Sequence, residues 1–151
     1  MRYNGEIFYP EVTLSRIINP DSAGKERTHL TKAVVLAIRE LAQQSGPGAD
    51  SRDLAAFISL ALSVIAETIE VSVAAWEKRD YWVKADKFRM EWVWAGQYAE
   101  KMRRAVLAED WASIVQIAAQ TAQKLSKIVV APKHRLGKPW VGAWEELKKK
   151  R

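Results

Sequence analysis

Apolar residues return every three or four positions through most of the chain. The clearest run is Tyr81, Ala85, Phe88, Trp92, Ala95, Ala99, Met102 and Val106. At helical periodicity such gaps place all eight on one face, so a helix with one apolar edge is expected from about Trp82 to Ala108. The same reading yields three more rods. Leu30, Val34, Ala37 and Leu41, widened by Val35, Ile38 and Ala42, mark a helix from about Gly24 to Gln44, stopped by Ser45-Gly46-Pro47-Gly48. Ile58, Leu62, Ile65, Ile69, Val73 and Trp76 mark the next, opening near Asp50 or Ser51, whose side chains can cap free backbone N–H groups. Trp111, Ile114, Ala118, Thr121, Leu125 and Ile128 mark the last long one, capped by Asp110 and ended by Pro132.

The junction between the second and third rods lacks Gly and Pro. The stripe ending at Trp76 and the one starting at Tyr81 are nevertheless out of phase. Asp tolerates left-handed backbone better than most residues, so Asp80 suits a tight turn near Arg79–Tyr81. An unbroken helix over 50–107 would extend about 87 Å, too long without a coiled-coil partner.

Short connections make consecutive helices antiparallel. The expected fold is all-α, an up-down-up-down four-helix bundle in a single domain over residues 1–151. Residues 1–24 form an irregular arm with Asn19-Pro20-Asp21 as a turn, 25–130 the helical core, and 131–151 a basic tail ending in a short helix over about Trp140–Lys150. The second rod is apolar on more faces than one four-helix core can use. Phe57, Leu60, Val64 and Val71 point away from its main stripe, so they are the candidate surface for self-association, with a dimer favoured. The alternative is that Ile7, Phe8 and Tyr9 of the arm cover that face, and Trp140 and Trp144 could likewise dock on the bundle.

Charge changes the picture only at the C-terminus. Residues 1–130 carry 17 basic against 16 acidic side chains, whereas 131–151 carry seven basic against Glu145 and Glu146. Most of the net +6 therefore sits on the tail. The chain has no cysteine, which excludes disulfides, thiolate metal sites and thiol chemistry. The N-terminus has no apolar leader segment, and the longest uncharged run, Leu54–Ala66, falls short of the roughly 20 residues a bilayer needs. A cytoplasmic protein without a membrane role is the expectation.

No spacing points to catalysis. Glu26 and His29 make one Glu-x-x-His pair where a di-iron bundle needs two, and Glu67, Glu70 and Glu77 read as a solvated face. Neither a metal nor another cofactor is expected. The residues suited to a polyanion are basic ones beside aromatics, where cations neutralise phosphates and rings stack on bases. On the third rod these are Lys84, Lys87, Trp94 and Tyr98, with Trp94, which lies off the apolar stripe, alternatively covered by the tail or by a second subunit. In the tail they are Lys133, Arg135, Lys138, Trp140, Trp144, Lys148, Lys149, Lys150 and Arg151. The sequence thus supports a non-enzymatic, self-associating interaction protein first, and an RNA or single-strand binder acting through the tail second.

Overall fold

The computed structural model describes residues 19–150. Among them are five helices and no strand: α1 (Pro20–Ala42), α2 (Ala49–Lys78), α3 (Trp82–Leu107), α4 (Trp111–Lys124) and α5 (Ala143–Lys149). The all-helical class is as expected. The arm lies outside the described residues up to Ile18, so the alternative covering by Ile7, Phe8 and Tyr9 does too.

Local chemistry explains the boundaries. The expected turn at Asn19-Pro20-Asp21 is instead the start of α1. Asn19 Oδ1 accepts a hydrogen bond from the Asp21 N–H at 2.8 Å. Pro20 occupies the first turn, where its missing N–H costs nothing. α2 starts after Gly48 without a side-chain cap; the Ser51 hydroxyl donates to the Gly46 carbonyl at 2.8 Å and ties down the loop.

α2 and α3 are joined by the expected tight turn. Asp80 adopts φ 64°, and the Tyr81 N–H reaches back to the Trp76 carbonyl at 2.9 Å. That six-residue closure around a left-handed residue satisfies the orphan carbonyls at the helix end. The α3–α4 turn repeats the device, with Glu109 at φ 52° and the Asp110 N–H on the Ala105 carbonyl at 2.9 Å. Asp110 then caps α4, accepting from the Ser113 N–H at 3.2 Å.

α4 is shorter than its periodicity implies. It stops at Lys124, well before Pro132. The β-branched run Ile128-Val129-Val130 is a poor helix former, and Leu125 and Val130 are buried without helical geometry. Residues 125–142 therefore form a long irregular connection before α5, which begins at Ala143 rather than Trp140.

α2 is the hub, packed against α1, α3 and α5, while α4 rests mainly on α3. α2 and α3 run antiparallel along their length. The buried Ser59 hydroxyl donates to the Ala99 carbonyl at 2.8 Å, and Arg52 near the start of α2 pairs with Glu109 beyond the end of α3 at 2.8 Å. At Gly96 an added methyl would lie 3.6 Å from the Ala66 Cβ, an ordinary contact distance. α1 lies antiparallel on α2, with Arg27 bonding Thr68 at 3.2 Å and Ser72 at 3.5 Å. The continuous core includes Leu30, Val34, Leu54, Ile58, Leu62, Ile65, Met102 and Ile114. A smaller cluster of Ile69, Val73 and Ala85 sits nearer the α2–α3 turn, with Trp76, Phe88 and Trp92 packed around it. α2 is long and apolar enough to cross a membrane by length and composition, but Leu54 to Leu62 are buried without interruption inside the bundle.

The tail helix resolves what covers the second face of α2. Asp53, Phe57, Leu60, Val64, Glu67 and Val71 share that face by helical spacing. Asp53 Oδ2 and Oδ1 accept from the Gly142 and Trp144 N–H groups, at 3.1 and 3.0 Å, and so cap α5 from a distance. The Lys150 ammonium lowers the pKa of Glu67, opposing a net rise. The Asp53 cap sets the start of α5 on this row, α5 packs on α2, and Ala143 and Leu147 of α5 are buried, as is Trp140 just before it.

Candidate anion-binding cleft

The first half of α1 and the irregular segment 129–136 enclose a cleft of about 880 Å³. Its cationic lining comprises Lys25, Arg27, Lys32 and Arg135, together with both histidines of the chain, His29 and His134. Val129, Val130 and Leu136 supply apolar wall, and no carboxylate is among the described lining residues.

Each cation is placed for a local reason. Lys25, His29 and Lys32 lie four and three residues apart, on the polar side of α1 opposite its buried stripe. Arg27 is held by Thr68 and Ser72, and its guanidinium lies 4.9 Å from the Phe88 ring. Burial lowers its pKa, yet arginine starts so high that it stays charged. In the facing segment, the Leu136 N–H donates to His134 Nδ1 at 3.3 Å, so a neutral His134 carries its proton on Nε2. Burial also pushes the His29 pKa down, opposed by Glu26 and assisted by Lys32. The lysines and arginines of the lining, Lys25, Arg27, Lys32 and Arg135, carry its positive charge.

Of the sequence-predicted polyanion residues, only Arg135 lines this cleft. Lys133 and Lys138 are exposed on the same connection. The rest are elsewhere. Lys84 is exposed near the α2–α3 turn with its ammonium 4.5 Å from the Trp76 ring, and Lys87 is exposed one turn on.

Trp94, expected on the outer side of its helix, is buried instead. Its indole stacks on Trp92 at 5.6 Å and 25° and meets half-buried Tyr98 at 5.4 Å. A helical side chain leans over the turn N-terminal to its own Cα, so a large ring rests away from its wheel position. Trp140 is likewise buried and unavailable for stacking. Half-buried Trp144 is sandwiched, with Arg52 at 5.0 Å and Lys148 at 3.9 Å.

The terminal lysines are partly spent within α5. Lys148 pairs with Glu145 at 2.9 Å and Lys149 with Glu146 at 4.0 Å. Lys150 is exposed, and Arg151 lies outside the described residues.

The residues expected at a self-association surface are covered within the chain. Phe57, Leu60 and Val64 are only 2%, 4% and 2% exposed, and Val71 is half-buried. The chain's own tail occupies the face that the sequence left uncovered. The exposed large apolar side chains are Tyr81, Trp82, Val83, Met90, Val93, Val115, Val129 and Val141.

Among the described residues no cluster of three or more His, Asp or Glu could hold a metal ion. Glu67 sits near Glu26, and burial with that neighbour raises its pKa. Glu70 and Glu77 both face Arg89, at 3.5 Å each. Reasoning from sequence missed Lys25, Arg27 and Lys32. Lys25 and Lys32 were legible as a basic row on α1, whereas Arg27 lies off that row, and their complement across the cleft depends on where α4 stops. The chain matches no protein-family model, no curated protein and no solved structure.

Proposed function

We propose that the protein is a non-enzymatic binder of phosphate-rich polymers, with single-stranded RNA or DNA as the ligand. One observation carries the reading. Lys25, Arg27, Lys32 and Arg135 converge on one cleft from two separate parts of the chain, without a carboxylate among its described lining. Bringing four like charges together is unfavourable unless an anion compensates them. The apolar wall of the cleft at Val129, Val130 and Leu136 gives sugar and base edges a surface to cover. Lys133 and Lys138 extend the positive track along the same connection.

The test is a titration of a fluorescent single-stranded RNA at two salt concentrations. Affinity should fall steeply as salt rises, with each phosphate contact contributing about 0.7 to the logarithmic slope. Lys25→Ala and Arg135→Ala should each weaken binding and reduce that slope by about 0.7. Lys149→Ala, on α5, should leave it unchanged. Binding that is absent at low salt, or that ignores Lys25 and Arg135, would refute the proposal.

A further inference from the structure

Both histidines of the chain line the basic cleft, one on each wall. His29 stands on α1 between Lys25 and Lys32, and His134 stands beside Arg135 on the facing connection. Both residues are exposed, so both exchange protons with solvent and both can meet a bound chain. Among side chains, only imidazole ordinarily changes charge between about pH 5 and 8. These two residues are therefore where acidity acts on the charge of the cleft.

We infer that the cleft takes up protons at His29 and His134 as it takes up a phosphodiester chain, so that its affinity rises as the medium turns acidic. The inference rests on the cleft being the anion site. Without a ligand, desolvation resists a charge on His29; Glu26, three residues earlier, favours that charge and Lys32 opposes it. Lys25, Arg27 and, across the cleft, Arg135 add further like charge. An opposite charge within about 4–6 Å favours the charged form of a titrating group. A phosphate seated among these cations therefore moves His29 toward its imidazolium. His134 responds by a different route. Its Nδ1 accepts from the Leu136 N–H at 3.3 Å, and a proton there turns the acceptor into a second donor, which a phosphate oxygen can accept. The bound state thus holds more protons than the free one, and falling pH favours it. Glu67 of α2 is the competing titratable group, since burial and Glu26 raise its pKa against the pull of Lys150. It is not among the described lining residues, and its own variant separates it.

The test titrates the full chain into an oligouridylate with hydroxyl ends, labelled with a dye insensitive to pH. Its phosphodiesters keep one charge each throughout, whereas a terminal phosphate would titrate near pH 6. From about pH 7.5 to about pH 5.5 at fixed salt, the Kd should fall about 10-fold or more, one pKa unit of difference between free and bound histidine giving a factor of about ten. The logarithmic salt slope should steepen by about 0.7 for each imidazolium that meets a phosphate. His29→Gln and His134→Gln should each remove part of the pH response, and the double variant should flatten it. Glu67→Gln should leave the response as in the parent. These are exposed positions, so the variants should keep the parent circular dichroism at both pH values. Titration calorimetry in two buffers of different ionisation enthalpy should show net proton uptake on binding. A complex that depends on Lys25 and Arg135 yet binds equally at both pH values, or a pH response that survives in the double variant, would overturn this inference and leave the cleft reading standing. An absence of binding at either pH would remove both.

Discussion

Replacing Asp53 with alanine tests whether the tail helix belongs to the stability of the bundle. The Asp53 carboxylate caps α5 through two backbone N–H groups, at 3.1 Å from Gly142 and 3.0 Å from Trp144. A lost helix cap costs about 1 kcal/mol, and a hydrogen bond to a charged acceptor about 1.5 or more. Asp53 is half-exposed, so water recovers part of that, and a loss of about 2 kcal/mol is expected. For a domain of this size that lowers Tm by about 4–8 °C. Urea denaturation gives the free energy, and amide exchange across Ala143–Lys149 locates it. The α5 amides should exchange faster than those of α2 in the variant.

Leu147, 2% exposed, supplies a second arm of the test. Leu147→Ala alone should cost about 2–4 kcal/mol through the cavity it leaves. In the double variant the two losses should sum to more than is measured, because a helix can detach only once. A loss below about 0.5 kcal/mol in Asp53→Ala, with α5 as protected as in the parent, would refute the reasoning.

Three further outcomes are expected. Gly96→Ala should raise stability by about 0.5–1 kcal/mol in thermal melts, because the added methyl meets Ala66 at an ordinary 3.6 Å and glycine is a poor helix former. Asp80→Gly should leave the fold intact and stabilise it by up to about 1 kcal/mol, since φ 64° strains any residue with a Cβ; Asp80→Val should destabilise by a similar amount or more. Tm should fall as pH drops from about 4.5 toward 2. Arg103 and Arg104 hold Glu100 at about 2, and bonds from Ser113 hold Asp110 below its usual range. The unfolded chain takes up these protons first, so the stabilisation is present above the ordinary carboxylate values and lost below them. Glu100→Gln should flatten part of that slope, and an unchanged profile would refute its share.

Much of the fold was legible because helical periodicity is a local property. The Asp80 turn was readable from a phase break between two stripes, and the Asp110 cap from residue type alone. The end of α4 was not, because Leu125, Ile128 and Val130 keep an apolar rhythm while leaving the helix. The cleft escaped in part for that reason: its second wall straddles residues 129–131, read as the end of a helix, and the extended stretch after Pro132. For Trp94 the sequence left covering and stacking both open, and a wheel angle does not show that its ring comes to rest on Trp92 and Tyr98.

By itself the sequence determined that the chain is built of amphipathic helices, roughly where each turns, and that one face of α2 is too apolar for solvent. Those follow from spacing and backbone preference, which act over a few residues. Only the tertiary structure decided what covers that face. The same apolar row accepts a second chain, an N-terminal arm or the chain's own tail. Asp53 lies some ninety residues from the N–H groups it caps, and no local pattern encodes a pairing across that distance. Once α5 is docked that face is closed, and the basic cleft beside α1 exists only because the segment after α4 folds back on it.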